Sequence, residues 1–380
     1  MSIKPKIDKI LDGYDADKIT IGVLGGHSAL DVCRGAKKLG FRTVAVCRKG
    51  REKTYAKYYK SRNRDGEDIG IIDEIIIVDD FADIVKPEVQ EKLRELNTIF
   101  IHNRYFWVYC DFNEIENNFE VPIYGTREML KLEERDVPKN QYYLMEKAGI
   151  RIPKIFSDPK DIDKLVIVKV NEAERGYERA FFYANSFDNY KKVSQQMISE
   201  GKIKESDLKK AVIEEFVLGA QINFNYFYSP LTDELELMGV DTRRQTDLDG
   251  FLRLPASEQL KLADKQIIPK IIETGHIAVT CKESIVEKIF DLGEKFVALT
   301  KKECSPGIIG PFALQGAISA EQGKEVPVIF DVSMRIPGSP GTRFTPYSGY
   351  LYGESISYGE RVAKEIKAAI KQNKLKEICT

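Results

Sequence analysis

The chain has 380 residues, 43% of them hydrophobic and 31% charged, with 58 basic against 59 acidic side chains and a formal net charge of −1. That length supports two or three domains with substantial cores. The charge balance supplies no basic field for nucleic acid or an anionic membrane, and no apolar run reaches the roughly 20 residues that span a bilayer. Residues 1–8 lack the apolar stretch of a secretory leader, so a cytoplasmic location is expected. The six cysteines show no C-x-x-C spacing, and with three histidines (His27, His102 and His276) a zinc site is not expected.

Residues 18–24 read as a buried strand, followed by Gly25, Gly26, His27 and Ser28 and then by Ala29, Val32, Cys33, Ala36 and Leu39 at helical spacing. This predicts strand, tight turn and helix. The free N–H groups of the helix start could hold a phosphate or carboxylate. Equally, Ser28 could be the N-cap of an ordinary βα turn. The Gly-x-Gly-x-x-Gly pattern of dinucleotide binding is absent. Strands over 43–47, 74–79 and 98–101, with a helix over 87–96, predict a parallel doubly wound sheet. Between the second and third strands, residues 48–68 are dense in Lys, Arg and Tyr, either a substrate-phosphate loop or a solvated charged loop. His102, Asn103, Arg104 and Tyr105 follow the fourth strand. Ligands of such sheets bind beyond the C-terminal strand ends, so this run is expected to share a pocket with His27. A short strand over 121–125 and a helical stretch over 127–149 place a boundary near residue 130.

The strand over 165–170 carries Lys169 inside an apolar run, a costly placement unless the charge is used. A charged loop over 172–179 leads to a strand at 180–184 and a helix at 187–201. The strand at 212–219 contains Glu214 and Glu215. Alternating segments at 221–228 and 235–240 predict antiparallel pairing. A polar loop follows over 241–250, and an amphipathic helix over 284–301. Residues 309–343 read as two strands joined by a turn at 321–325. Alternation puts Asp331, Ser333 and Arg335 on one face, within reach of Gln315 if the strands pair. A carboxylate, an amide oxygen, a hydroxyl and a guanidinium could together hold a metal and a phosphate. The same pattern also fits the wet face of an amphipathic hairpin. A helix over 358–372 closes the chain.

In this order the pieces resemble an ATP-grasp ligase, and most closely the archaeal formate-dependent 5-formaminoimidazole-4-carboxamide ribonucleotide synthetase (PurP) family of purine biosynthesis. The resemblance runs along nearly the whole chain. It is carried by Gly26-His27-Ser28, the segments 91–97 and 148–153, the Lys169 strand, the segments 213–219 and 226–230, Asp249-Gly250, the segment 310–315, Asp331-x-Ser333-x-Arg335 and the segment 359–366. It implies a mixed α/β and α+β fold: a Rossmann-like parallel-sheet pre-domain over 1–130, a small ATP-grasp subdomain over 131–230 and a C-terminal subdomain over 231–380. It also implies ATP-dependent activation of formate as an acyl phosphate, followed by formylation of an aminoimidazole carboxamide ribotide. In those roles Lys169 would hold ATP phosphates, and Glu214, Glu215, Phe216 and Val217 the adenosine. Gln315 and Asp331 would hold Mg²⁺ (or Mn²⁺), and Arg335 would stabilise the transferring phosphoryl group. His27, Ser28, Tyr105 and Asp247 would face the nucleotide substrate. A homo-oligomer is implied, with no nucleic acid and no membrane as partner.

Departures from the family pattern cluster at the implied site. The loop after Lys169 has one glycine and three acids over 171–179, where the family is glycine-rich. Arg104 and Tyr105 stand in a turn of small residues, Asp247 stands where asparagine is usual, and Asp331 is shorter than the usual glutamate. They leave two alternatives open: a related ligase for a different carboxylate and amine, using Arg104, Arg243 and Arg244 for an anionic group, or a non-catalytic nucleotide-binding partner subunit.

Overall fold

The computed structural model describes residues 2–135, 137–170, 181–246, 248–264 and 271–380. The loop 171–179 and Asp247, both singled out by the sequence, therefore lie outside the described residues, the loop entirely. Five parallel strands, β1 (Thr20–Leu24), β2 (Arg42–Arg48), β3 (Glu74–Val78), β4 (Thr98–Ile101) and β5 (Ile123–Tyr124), form a sheet in the order β3-β2-β1-β4-β5. The fully buried strands β1 and β4 explain the unbroken apolar runs, since a parallel sheet is covered on both faces. Helix α1 (Ala29–Lys38) crosses one face. The basic stretch between β2 and β3 is mostly exposed and folds into a helical turn, Thr54–Tyr58, and a small hairpin.

Helix α2 (Gln141–Lys147) leads to an antiparallel sheet of β6 (Ile155–Phe156), β7 (Val166–Lys169), β8 (Phe181–Ala184) and β9 (Val212–Glu215), ordered β8-β7-β9-β6. The helix Phe187–Ser199 packs on it around Phe182, Tyr190 and Ile213. A third sheet, also antiparallel, comprises β10 (Ala220–Ser229), β11 (Glu234–Thr246), β12 (Ile271–Val279), β13 (Gly310–Glu321) and β14 (Lys324–Ser333), ordered β12-β11-β10-β13-β14. The boundary expected at residue 230 falls in the turn between β10 and β11, inside this sheet. The stretch 241–246, expected as loop, instead continues β11 as far as Thr246 and pairs with β12. The hairpin turn at Gln322-Gly323 has φ of 51° and 76°, the left-handed pair that a two-residue turn between twisted strands requires. Helix α3 (Val286–Glu303) covers this sheet through Ile289, Phe296 and Val297, against Tyr226 and Phe312. Among the described residues no helix is long and apolar enough to cross a membrane.

Helix α4 (Tyr358–Gln372) joins the first sheet's layer to the third sheet. It crosses α1 at Gly35 and Gly359, where backbones touch. A Cβ on Gly35 would lie 2.1 Å from the Gly359 carbonyl carbon, and one on Gly359 would lie 2.0 Å from the Asp31 carbonyl oxygen. The buried Asp31 carboxylate accepts the Gly359 N–H at 2.9 Å. On the other side of α4, buried Arg361 donates to Glu236 at 2.7–3.0 Å and to Glu365 at 2.8 Å, and Ser229 donates to Glu365 at 2.5 Å. Arg361 also lies 3.9 Å over the Phe227 ring. The ion pairs are buried, so their partners hold one another rather than water.

Replacing Gly359 by alanine should destabilise the protein by about 1–3 kcal/mol through forced separation of α1 and α4. Replacing exposed Lys371 should change stability by no more than about 0.5 kcal/mol. Chemical denaturation of the two variants checks this.

Candidate active site

Cross-strand register builds a polar row across the third sheet. Asp331 on β14 pairs with Gln315 on β13, Gln315 with Asn223 on β10, and Asn223 with Asp241 on β11. Side chains complete the row: Gln315 donates to Ser333 Oγ at 2.8 Å, and Asn223 and Asn225 donate to Asp241 at 3.0 and 2.6 Å. Arg243 donates to Gln315 Oε1 at 2.5 Å. Arg335, just beyond the end of β14, is buried with its Nε 3.6 Å from the Glu133 carboxylate. Glu133 itself accepts the Met334 N–H at 2.6 Å. Above Asp331 lies a cavity of about 80 Å³, bounded by Arg104, Arg135, Arg243, Arg335 and Glu133. Burial alone would raise the Asp331 carboxyl, but Arg135, Lys169 and Arg243 outweigh it and hold it below the usual carboxylate range. Arg335 Nε, Arg243 Nε and Trp107 Nε1 at this cavity are buried without a hydrogen-bond acceptor. Donors left in this state are those a bound anion satisfies.

Lys169 ends β7 with its ammonium buried. It lies 2.5 Å from Glu214 Oε1 and donates to the Phe330 carbonyl at 3.2 Å. Tyr142 on α2 donates to the other Glu214 oxygen at 2.8 Å. Burial pulls the Lys169 pKa down, but Glu214 and its neighbours leave it raised overall. The lysine is therefore charged. Glu214 and Glu215 diverge because adjacent strand residues face opposite ways. Glu215 points outward to Lys164 at 3.3 Å and Arg151 at 3.6 Å. Strand β9 ends there. Phe216 N–H donates to the Leu165 carbonyl at 2.9 Å, and Phe216 and Val217 form the half-buried link to β10.

The first βα turn comes to the same place. Ser28 has φ of 65° and its side chain makes no cap bond; its hydroxyl donates instead to the Pro337 carbonyl at 2.7 Å. Ser28 does occupy the N-cap position, its carbonyl accepting the Val32 N–H at 3.0 Å, but its left-handed backbone turns the hydroxyl toward the loop after Arg335 instead of the helix start. His27 packs on Gly338, where a Cβ would lie 2.2 Å from its Nε2. Burial, with Arg335 and Arg104 nearby, lowers the His27 pKa to about 3, so the ring is neutral. His27, Arg104, Arg243, Arg335 and His276 line a second, smaller cavity that shares Arg104, Arg243, Gln315, Ser333 and Arg335 with the first. The expectation for the 102–105 run divides. Arg104 reaches both cavities, whereas Tyr105 lies over Gly26 and against Phe81 and Tyr109 and lines neither. His102 is buried beside Gly125 and also lines neither.

Two family models match the chain, a domain of unknown function (DUF1297) over residues 189–380 and a protein of unknown function (DUF1246) over residues 21–156. A curated relative from Methanothermobacter thermautotrophicus, 5-formaminoimidazole-4-carboxamide-1-(beta)-D-ribofuranosyl 5'-monophosphate synthetase, is 40% identical over 99% of both chains. The chain belongs to this synthetase family. Its fold is similar to the crystal structure of an IMP biosynthesis protein PurP from Thermococcus kodakaraensis, with a TM-score of 0.65 and 23% identity over 95% of this chain and 100% of that one. It is also similar to N5-carboxyaminoimidazole synthetase from Staphylococcus aureus complexed with ADP, with a TM-score of 0.52 and 13% identity over 84% of this chain and 71% of that one. The fold is ATP-grasp, with the parallel sheet as pre-domain.

Within this family fold, the structure gathers Gln315, Asp331, Arg335 and His27 around connected cavities, with Ser28 bracing the loop behind them and Lys169 and Glu214 paired on the adjoining sheet. Glu133, Arg135, Tyr142, Asp241 and His276 were not singled out from sequence. The period-two spacing of Gln221, Asn223 and Asn225 was the available signal of a polar sheet face.

Lys169→Met should cost about 3–5 kcal/mol in denaturant unfolding, because Glu214 is left buried and unpaired. Adding Glu214→Gln should restore part of that loss. Equal stability of the single and double variants would contradict the pairing.

Proposed function

We propose that this protein is an ATP-dependent carbon–nitrogen ligase. It activates formate as formyl phosphate and formylates 5-aminoimidazole-4-carboxamide ribonucleotide, releasing the formylated ribotide, ADP and phosphate. The name of the full-length relative supports the substrates, and the ADP-bound neighbour supports a nucleotide on this fold. The observation that carries the chemistry is the concentration of Arg104, Arg135, Arg243 and Arg335 around one ionised carboxylate, Asp331, in a buried cavity.

Phosphoryl transfer is catalysed mainly by positioning and charge neutralisation. Arg335, held beside Glu133, lines the cavity with its Nε–H lacking an acceptor and stabilises the equatorial oxygens of the transferring group. Lys169 projects from the small sheet to Phe330, one residue before Asp331, and binds phosphate by exchanging part of its contact with Glu214. Glu214 to Val217, on the strand end and the link beyond it, hold the adenosine. His27, neutral and packed on Gly338, lies across the smaller cavity from the sheet and contacts the ribotide without adding charge. The buried setting excludes water, which would otherwise hydrolyse formyl phosphate.

The donor set fits Mg²⁺, or Mn²⁺ in its place. Asp331 supplies an ionised carboxylate and Ser333 a hydroxyl oxygen, and Gln315 would supply its amide oxygen on releasing Arg243; magnesium commonly takes one or two carboxylates together with substrate phosphates. When bound, the ion would neutralise charge on the phosphates. A second reading keeps the same activation but changes the carboxylate and amine; the placement of Arg104 and Arg243 on both cavities favours an anionic group there.

With no other nucleophile added, ADP release should require formate and the ribotide together. Formate-independent release driven by another carboxylate would favour the second reading. Arg335→Met should lower kcat by about 10²–10³-fold, with KM for the ribotide little changed, and Arg335→Lys should not restore it because the forked donor geometry is lost. Steady-state kinetics with coupled ADP detection measure both.

A further inference from the structure

The reaction leaves one task unassigned. Attack by the aminoimidazole nitrogen on formyl phosphate requires an N–H proton to be removed, and an amine conjugated with a heteroaromatic ring is a poor nucleophile while it keeps that proton. The wall of the smaller cavity carries a pair suited to the task. His276 on β12 is mostly buried, and its Nδ1 is hydrogen-bonded to the Asp241 carboxylate. Asp241 is fixed by Asn223 and Asn225 and by Ser339, whose hydroxyl lies 3.2 Å from its Oδ1 and 3.3 Å from His276 Nδ1. With the Nδ1–H engaged by Asp241, Nε2 is the nitrogen left as acceptor. Nε2 lies 3.7 Å from the carboxylate of Glu273, which is partly exposed. His276, Glu273 and Ser339 all line the smaller cavity, with Asp241 behind the imidazole.

We propose that His276, oriented by Asp241, is the general base that takes the proton from the ribotide amine during formyl transfer. This rests on the ligase reading above. As the C–N bond forms, the proton passes to His276 Nε2 and the C–O bond to phosphate breaks. Inorganic phosphate leaves with the electron pair, and the imidazolium returns its proton to solvent through Glu273. Asp241 stabilises the imidazolium, as an acid hydrogen-bonded to Nδ1 does in other His-dependent enzymes. The charged groups facing the ring are Asp241 and Arg243 from β11 and Glu273 from its own strand, with Arg335 from the loop after β14 and the neutral, titratable His27 from the first βα turn on the same cavity. Burial lowers the His276 pKa, but Asp241 and Glu273 outweigh it and leave the ring with a raised affinity for a proton.

The test compares the unaltered protein with His276→Gln, using ATP, Mg²⁺ and formate with two acceptors. The ribotide needs the base; hydroxylamine, a strong nucleophile, does not. The expected result is a fall of about 10²–10³-fold in formyl transfer to the ribotide, carried by kcat. Formation of formohydroxamate should be retained. The unaltered enzyme should show kcat/KM rising with pH through an apparent pKa above 6.5, and the variant should lose that acid limb. Equal loss with both acceptors, an effect confined to KM, or an acid limb that persists in the variant would overturn the assignment. If His276→Gln does not fold, absence of the acid limb in the unaltered enzyme overturns it. If the unaltered protein releases ADP with neither acceptor, the ligase reading itself fails, and that outcome is distinct from an active enzyme indifferent to His276.

Discussion

The architecture depends on a backbone contact between two helices. α1 follows the first strand of the parallel sheet, α4 packs behind the third sheet, and they meet where Gly35 and Gly359 leave no room for a Cβ. Asp31 locks the crossing through the Gly359 N–H. On the far side of α4 the Arg361, Glu236 and Glu365 cluster fixes the helix to β10 and β11. The first βα turn is thereby set against the loop after β14, with Ser28 on the Pro337 carbonyl and His27 on Gly338. Two sheets distant in sequence share one site because small residues let two helices approach closely.

Charge governs the site once it is assembled. Asp331 is ionised despite burial because Arg135, Lys169 and Arg243 surround it. Around them, Lys169 has Glu214, Arg335 has Glu133, and Arg243 has the neutral oxygen of Gln315. On the proposed ligase reading, triphosphate entering the cavity would meet donors already oriented, and little reorganisation would be needed when charge moves toward the acyl group. His27 is kept neutral by burial, with Arg335 and Arg104 adding to it. His276, set beside two carboxylates, has its affinity for a proton raised. Two histidines on one cavity are thus separated in proton affinity by their neighbours, which is the condition for giving them different roles.

Much of the fold was legible in the sequence. Continuous apolar runs between helical segments gave the parallel sheet, and the alternation of residues 309–333 gave the hairpin that holds Gln315 opposite Asp331. Less legible was anything set by register between strands far apart in sequence. Asp241 and His276 are 35 residues apart and meet because β11 and β12 pair with Arg243 opposite His276. Lys169 and Glu214 meet across two antiparallel strands, so a residue expected to await phosphate has a carboxylate partner. Adjacent Arg104 and Tyr105 separate because Asn103 caps a helix there, turning one side chain to the cavities and the other onto Gly26. Ser28 is the N-cap by position, as its residue type suggests, but its left-handed φ directs the hydroxyl to the Pro337 carbonyl and not to the helix start.

Activation of formate through an acyl phosphate makes a specific demand on oxygen. One formate oxygen becomes the bridge to the γ-phosphoryl group and departs with it when the amine attacks. Turnover with ¹⁸O-labelled formate, ATP, Mg²⁺ and the aminoimidazole ribotide tests this directly, with mass spectrometry of the released phosphate. The account predicts one labelled oxygen in each phosphate formed. Formylated ribotide accompanied by unlabelled phosphate would contradict it.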